Sequence, residues 1–333
     1  MPLLTLEEIV RLAFKALADA GASAPAAASV ARAIRRAEAD GLPSIGLGFL
    51  PTFLGHLRSG RVVGIAEPTL SKPAPGLLQV DAANGFFHPA FDMALPGLVS
   101  TAKAQGIAAM AVHRSYSAGV LGHCVEDLAM AGLVALGFSN GPANIAPWGG
   151  AKPLFGTNPL AFAVPRDNAP PVVLDQASST VARVTLNAAL ATGEPLPQGW
   201  ALGSQGQPTT DPAEARKGSL APAGGVKGAG IALMVEVLAA VLTGANLSPQ
   251  MQGYGVEAGP PLDVGQFFIA IDPQSVQPGF SDRLEFLFNA IAGQTGARLP
   301  GERRLAHRAI ATAHGVDVPA ALLDQIKSFG AKA

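Results

Sequence analysis

The sequence is poor in cysteine and in charge. Its 333 residues include one cysteine, Cys124, so no internal disulfide can form, and this usage predicts a reducing compartment. Charged residues make up 14% and hydrophobic residues 49% of the chain, against about 25% charged residues in an average soluble domain. So little charge suggests that part of the surface is covered, most simply by another copy in a homo-oligomer.

Neither sign of charge is in excess, and no segment has the pattern of a membrane span. With 23 basic and 24 acidic residues, the balance argues against binding of nucleic acid or of an anionic membrane. The N-terminus has two early glutamates and no basic region, unlike a secretion signal. The most apolar long segment, residues 230–245, contains Glu236 and predicts a buried helix. We therefore expect a cytoplasmic globular protein without a membrane segment.

Several common catalytic patterns are also absent. The six histidines show no HExxH or closely paired spacing, and one cysteine cannot build a thiolate site, so we expect no metal. No GxSxG sequence provides a nucleophilic serine for hydrolysis. No GxGxxG follows the first strand and no GxxxxGK[ST] occurs, so neither a Rossmann fingerprint nor a P-loop is supported.

Apolar periodicity predicts an α/β core with helices at both chain ends. Thr5 and Glu8 have capping-box spacing ahead of a first helix, and a second helix begins near Ser23 and stops at residues 39–41. Helix returns from about residue 279. Between the ends, short apolar runs predict buried strands: LLQVDA, IAAMAV, LVALGFS, LAFAVP, VVLDQA and FFIAID. Helical stretches are predicted around 89–104, 120–131 and 227–244, and long connections at 195–225 and 245–264.

Two basic loops could bind an anion. GGVKGAG, residues 224–230, leads into a helix, so its main-chain amides, the helix N-terminus and Lys227 would all favour a phosphate. ARLPGERR places Arg298, Arg303 and Arg304 around a Pro-Gly turn, where arginines can clamp a phosphate. The alternatives are a flexible loop with a solvated lysine and a solvated helix start.

Four motifs in register resemble the malate/L-lactate dehydrogenase family of the non-Rossmann kind. They are PLFGTNPLAFAVP, VVLDQASS, GGVKGAGIALMVEVLAAVLTGAN and RLPGERR, and the resemblance extends over nearly the whole chain. That family includes sulfolactate and ureidoglycolate dehydrogenases and the Δ1-piperideine-2-carboxylate/Δ1-pyrroline-2-carboxylate reductases. The resemblance implies an NAD(P)H-dependent oxidoreductase and an obligate homodimer. It also implies a malate/L-sulfolactate dehydrogenase-like α/β fold, with a nucleotide-binding core over 63–278 and a helical domain from residues 1–62 and 279–333.

The resemblance also implies site residues. The Gly156-Thr157-Asn158-Pro159 turn corresponds to the one that meets the substrate, with Thr157 beside its carboxylate and Asn158 next to it. A polar turn at the end of an apolar strand would give a small anion a strong hydrogen bond in a dry pocket, although a plain Asn-Pro β-turn is an alternative. The implied cofactor contacts are Ser117, Ala118, Gly119, Val120, Leu121, Asp175, Gln176, Ala177, Lys227, Arg298, Arg303 and Arg304.

The sequence departs from the family pattern where a proton donor is expected. The family loop after the second helix usually reads Ser-His-Gly, with an arginine three residues after the glycine, whereas this chain has Ser44-Ile45-Gly46 and Phe49. The histidine near the nicotinamide is replaced by Tyr116 or Ser117, depending on the alignment. The aspartate that partners the missing histidine corresponds to Thr185.

The lost histidine favours an imine substrate. A ketone needs a proton donor for its developing alkoxide, whereas a cyclic ketimine can arrive already protonated and accept hydride directly. Ser44 is our first candidate for a hydroxyl near the imine nitrogen, with Tyr116 as a second donor; Ser44 could instead satisfy loop backbone groups. His88 could bind the substrate carboxylate in place of the arginine, or could serve as a cap or packing residue.

Three functions follow as hypotheses. The first is NADPH-dependent reduction of cyclic ketimine 2-carboxylates to L-proline or L-pipecolate, within amino-acid or proline metabolism. The second is a 2-keto-acid or 2-hydroxy-acid oxidoreductase with an unorthodox donor such as His88. The third is a catalytically silent nucleotide-binding relative. NADPH is preferred over NADH because the basic loops could accept a 2′-phosphate and because imine-reducing relatives use it, but NADH stays possible.

Overall fold

The fold is a mixed α/β structure, and a computed structural model describes residues 1–330. The helices are α1 (Leu6–Asp19), α2 (Ala24–Ala39), α3 (Leu50–Ser59), α4 (Phe87–Gln105), α5 (Leu121–Met130), α6 (Arg183–Thr192), α7 (Pro212–Lys217), α8 (Val226–Glu236), α9 (Pro273–Val276), α10 (Phe280–Ala292), α11 (Glu302–His314) and α12 (Ala320–Gly330). The strands are β1 (Leu3–Leu4), β2 (Thr69–Ala74), β3 (Leu77–Asp81), β4 (Ile107–Ser115), β5 (Val134–Ser139), β6 (Leu160–Val164), β7 (Val172–Gln176), β8 (Ala201–Leu202), β9 (Pro208–Thr209), β10 (Ser219–Leu220), β11 (Val264–Ile271) and β12 (Val316–Asp317).

The central element is a seven-stranded sheet in the order β2-β3-β4-β11-β5-β6-β7. Only β3 and β4 pair in parallel, and the other neighbours are antiparallel. The six predicted apolar runs form β3, β4, β5, β6, β7 and β11, so that prediction is confirmed. Their apolar character follows from burial on both faces, because α4 and α5 pack on one face and α8 packs on the other.

Helices from both chain ends pack together. Thr5 caps α1 in a complete capping box with Glu8, as predicted, and Ser23 caps α2. One apolar cluster joins α1, α2 and α3 to α11 and α12. Helix α10 differs, because its Phe288 packs beside β6 and β7 at the edge of the sheet. The domain limits 1–62 and 279–333 therefore stay a proposal.

The stretch at 195–225 is not the long unstructured connection predicted. It contains a three-stranded sheet in the order β10-β8-β9 and helix α7. With α6 it forms a small unit with its own apolar cluster, which includes Leu186, Ala201 and Leu220. A strand of two residues is too short to show the alternation of apolar and polar residues by which strands are recognised. The glycines and prolines of this stretch therefore predicted a loop.

The most apolar segment of the chain is helical, as predicted, but it is buried against the sheet on one face only, and Leu233, Val237 and Val241 are exposed on the other. Helix α8 continues as a π-helix over Val237–Val241, and Glu236 is buried at the junction. Across residues 1–330, none of the helices has the length and apolarity that crossing a bilayer requires.

Candidate active site

A cleft of about 1690 Å³ lies where the helical ends, the sheet and the small unit meet. Pockets for drug-sized molecules are typically about 300–1,000 Å³, so this cleft has room for a dinucleotide and a small acid together. Twelve predicted site residues line the cleft: Ser117, Ala118, Gly119, Val120, Leu121, Thr157, Asp175, Gln176, Ala177, Arg298, Arg303 and Arg304. Five others do not line it within the described part of the chain: Ser44, His88, Tyr116, Asn158 and Lys227.

The turn before β6 presents Thr157 to the cleft and turns Asn158 away from it. The Asn158 side chain is fully buried, and its Nδ2 donates to Ala232 O at 2.9 Å and to Glu236 Oε2 at 2.8 Å. Asn158 adopts a φ of 40°, a left-handed conformation that asparagine tolerates better than most residues. The prediction that the Asn158 side chain contacts the substrate is therefore wrong, because this side chain is buried and positions the turn instead.

A buried network fixes this turn to α8. Glu236 accepts hydrogen bonds from the main-chain N and the hydroxyl of Ser248, both at 2.6 Å. The Ser248 hydroxyl in turn accepts from Gly156 N at 2.9 Å. A Cβ at Gly156 would lie 2.5 Å from Asn158 Oδ1, so only glycine fits there. These contacts hold the turn in one conformation. Thr157 is the side chain of the turn that remains available to a ligand in the cleft.

The loop over residues 117–121 forms the adjoining wall. Gly119 has a φ of 65°, and its N–H donates to Ser117 Oγ at 3.2 Å. The loop ends at α5, where Gly122 N donates to Asp175 Oδ2 at 2.7 Å. A Cβ at Gly122 would lie 2.9 Å from the same oxygen, so glycine lets the end of β7 approach the helix. Both predicted cofactor segments thus lie side by side.

The basic loop before α11 lies on the same cleft, but its charges are not all free. Arg304 is largely buried, with Nε 3.4 Å from Asp40 Oδ2. The Asp40 carboxylate is fully buried, and hydrogen bonds from His123 and Arg308 lower its pKa to about 2 although burial opposes them. Arg298 and Arg303 form no ion pair within residues 1–330. They are the better candidates for a phosphate.

Tyr116 is sealed away from the cleft. Its side chain is 1% exposed in the apolar cluster of the helical ends, where its hydroxyl hydrogen-bonds to His56 Nδ1. His56 Nε2 lies 2.9 Å from Val256 O, so the imidazole donates there and accepts from the tyrosine. Burial raises the pKa of Tyr116 far above its ordinary range. The prediction that Tyr116 donates a proton to the substrate is therefore wrong, because its hydroxyl does not reach the cleft.

Ser44, His88 and Lys227 also lie outside the cleft. Ser44 is exposed on the turn after α2, although its neighbour Ile45 lines the cleft. His88 faces a separate cavity of about 190 Å³ behind the 117–121 loop, and burial lowers its pKa to about 4. Lys227 is exposed on the first turn of α8. In a single chain, none of these three has the placement that its predicted role requires.

Sequence reasoning missed several polar side chains that line the cleft, among them Tyr254, Arg183 and Arg216. No motif marks them. Tyr254 lies in the Gly-rich 245–264 connection, and loops of that length are often functional, which was the only available signal. Phe49, where the family has an arginine, is also on the cleft wall and contacts Tyr254 edge to face at 5.6 Å.

The structure is a mixed α/β fold without a Rossmann sheet, with a cleft large enough for a dinucleotide and a small acid, and comparison with known proteins gives its family. The malate/L-lactate dehydrogenase family matches residues 4–327. This chain belongs to that family, as the four motifs predicted.

Two relatives with different activities in their names are about equally similar to this chain. The (2R)-3-sulfolactate dehydrogenase (NADP(+)) of Chromohalobacter salexigens is 42% identical over 327 residues, or 98% of each chain. The Δ1-pyrroline-2-carboxylate reductase of Ancylobacter novellus is 41% identical over 332 residues, covering 98% of this chain and 97% of the relative. The crystal structure of Δ1-piperideine-2-carboxylate reductase from Pseudomonas syringae pvar. tomato superposes with a TM-score of 0.93 at 35% identity, over 99% of this chain and all of that one. The predicted family and fold are confirmed, and the substrate is not decided by likeness.

Proposed function

We propose that the protein reduces cyclic ketimine 2-carboxylates, Δ1-pyrroline-2-carboxylate to L-proline and Δ1-piperideine-2-carboxylate to L-pipecolate, with NADPH. The observation that carries this proposal is the set of groups beside Thr157. Ser117, Gly141 and Tyr254 line the same cleft as Thr157. The His88 imidazole lies behind Gly119 and does not line this cleft within residues 1–330, so the groups offered here are hydroxyls and main-chain groups. The one histidine that lines the cleft, His307, packs against Gly41 near the basic loop. A substrate that can carry its own proton suits this wall better than a ketone.

The cleft residues fit a nicotinamide dinucleotide. When bound, that group supplies the hydride. The Thr157 hydroxyl would donate to the substrate carboxylate, and the apolar side chains of Phe49 and Ile45 line the same cleft. Asp175 and the 117–121 loop would orient the cofactor, and Arg298 and Arg303 would bind phosphate oxygens. The sulfolactate dehydrogenase relative is named for NADP(+), which supports NADPH over NADH.

A second candidate, reduction of a 2-oxo acid that carries another anionic group, has one observation in its favour. Arg183 and Arg216 both line the cleft, and neither has a carboxylate within 4.0 Å in the described residues. Burial, and then the charge of Arg216, lower the pKa of Arg183. Two unpaired guanidinium groups favour a bound anion, and the sulfolactate dehydrogenase relative acts on a substrate with two acid groups.

A substrate panel separates the two candidates. The purified protein is given NADPH or NADH with Δ1-pyrroline-2-carboxylate, Δ1-piperideine-2-carboxylate, pyruvate or 3-sulfopyruvate, and reduced cofactor is followed by absorbance. We expect kcat/KM to be at least about tenfold higher for the cyclic imines than for either oxo acid, because one proton-transfer step is removed. Thr157→Val, of the same shape, should raise KM about tenfold, as expected for loss of one hydrogen bond to a carboxylate. Higher kcat/KM with 3-sulfopyruvate would establish the second candidate instead.

The same proposal includes a homodimer. Helix α8 and its π-helical extension leave Leu233, Val237 and Val241 between 45% and 60% exposed on one face, where a soluble monomer rarely has so many apolar side chains. We expect a sedimentation mass of twice 33.7 kDa for the wild type. Val237→Glu combined with Val241→Glu should give the mass of one chain. Val276→Glu, at a 73% exposed valine on α9, is the control and should stay dimeric. If the double variant is still a dimer, this face of α8 is not the dimer interface.

A further inference from the structure

Tyr254 places a phenol at the substrate end of the cleft. Its ring lies edge on to Phe49 at 5.6 Å and to Tyr116 at 5.7 Å, so its orientation is fixed on two sides. Burial has the larger effect on the pKa of this phenol and raises it, whereas the side chain of Ser117 is near enough to lower it. The Tyr254 hydroxyl lies 4.0 Å from the Cβ position of Gly141.

Gly141 also borders the Thr157 turn. Gly141 O lies 2.6 Å from the Cβ position of Gly156, the residue before Thr157. Ser117, Gly141, Thr157 and Tyr254 all line the same cleft. A small acid whose carboxylate is held by Thr157 would present its neighbouring atom to this phenol.

The backbone around Tyr254 is held from beneath. Arg61 is 1% exposed, and its guanidinium donates to Gln252 O and Gly253 O at 3.2 Å each, and to Val256 O. His56 adds a contact to Val256 O at 2.9 Å. Tyr254 thus sits on an anchored segment of an otherwise exposed loop, as a catalytic group requires.

We propose that Tyr254 is the catalytic proton donor, giving its phenolic proton to the substrate nitrogen when the ketimine arrives neutral. This inference rests on the proposed function and extends it to the unprotonated fraction of the substrate. Of the hydroxyls near Thr157, the phenol is the most acidic, since serine and threonine hydroxyls do not ionise in the working range. Burial raises the pKa of Tyr254 to about 12, so the phenol is protonated but a weak acid, and it is the strongly basic nitrogen formed by hydride addition that can take its proton.

The step balances as follows. The imine carbon accepts the hydride, the C=N π electrons become a lone pair on nitrogen, and that nitrogen takes the proton from Tyr254 Oη. The nicotinamide is oxidised as the imine is reduced to the amine. The tyrosinate left behind regains a proton from water through the open cleft, and its raised pKa favours that return.

Tyr254→Phe tests this role through the pH profile, because phenylalanine keeps the ring contacts and removes only the hydroxyl. Above the pKa of the free imine, wild-type kcat/KM should fall little with pH. The variant can use only pre-protonated imine, so its kcat/KM should drop about tenfold per pH unit and be about 100-fold below wild type at pH 9, the low end for loss of a general acid. Near pH 6 the two enzymes should approach each other. Cofactor affinity, followed by the fluorescence of bound NADPH, should be unchanged.

Matched controls make the result decisive. Ser100→Ala removes an exposed hydroxyl on α4, outside the cleft, and should keep the shape of the wild-type profile. If profiles of wild type and Tyr254→Phe coincide, Tyr254 is not the donor. If the wild type reduces only oxo acids, the proposed substrate is wrong but Tyr254 is still tested. A ketone oxygen always needs a proton, so the variant should then lose about 100-fold in kcat at every pH, and an unchanged kcat would reject the assignment.

Discussion

Asp40→Asn should lower the free energy of unfolding by about 3–5 kcal/mol, the usual cost of breaking a buried ion pair by removing one partner. The Asp40 carboxylate is 0% exposed and accepts from Arg308 Nε at 2.7 Å, Arg308 Nη2 at 3.0 Å and His123 Nε2 at 2.9 Å. Arg304 lies 3.4 Å away. The neutral amide would leave two guanidinium groups in the network with Glu126 as their main partner, so uncompensated positive charge would remain buried.

The charges of this network are balanced in the wild type. Arg36, Arg304 and Arg308 face Asp40, Glu126 and Asp127, three positive groups against three negative ones. Arg304 also lines the cleft, so the network ties the basic loop to α2 and α5. A loss of cofactor affinity should therefore accompany the loss of stability in Asp40→Asn.

Urea denaturation at pH 7 measures the loss, with Asp19→Asn as the control. Asp19 pairs with Lys15 on the surface, where the two side chains are 34% and 77% exposed, so its loss should cost at most about 0.5 kcal/mol. The difference between wild type and Asp40→Asn should also depend on pH. Because the pKa of Asp40 is lowered to about 2, its stabilising contribution is complete above about pH 4 and disappears as the pH falls toward 2. Equal losses in both variants at pH 7 would show that the network does not stabilise the fold.

The sheet and the main helices could be predicted because their signals are local. Buried strands such as Leu160–Val164 need an uninterrupted apolar run, and the capping box of Thr5 and Glu8 is complete within four residues. The order of the strands does not follow from such patterns. β11 is the last of the seven strands in the sequence, yet it lies between β4 and β5 in the sheet. That position is set by long-range packing.

The site was predictable only as segments. Motifs identified the Thr157 turn, the 117–121 loop and the basic loop, because each combines glycine or proline with polar residues in a short stretch. They could not show which way a side chain faces. Asn158 and Tyr116 lie next to cleft residues in the sequence but point into the protein, whereas Tyr254 is brought to the cleft by a loop that Arg61 anchors from about 190 positions away. Such placement depends on contacts between distant residues, which a single sequence does not display.

Arg61→Met should therefore act on catalysis through Tyr254. Methionine fills much of the same space but cannot donate to Gln252 O, Gly253 O, Val256 O or Pro260 O. Most of this loop is exposed, so the released carbonyls would turn to water and the loop would leave its anchored position. We expect kcat/KM with the cyclic imine at pH 9 to fall about 100-fold, as in Tyr254→Phe, because the phenol would no longer be held at the substrate.

A double-mutant cycle separates this effect from a general loss of structure. If Arg61 acts through Tyr254, the double variant should be no slower than either single variant, whereas two independent losses would multiply to about 10,000-fold. Arg58→Met is the control, since Arg58 lies in the last turn of α3, three residues before Arg61, but is exposed, and its kcat/KM should match wild type. Multiplied losses would contradict the proposed link, and the same would hold if Arg61→Met kept full activity at pH 9. Arg61 is buried and has no carboxylate within 4.0 Å in residues 1–330, so removing its charge from water is costly. We infer that Arg61 is retained because it anchors the loop that carries Tyr254.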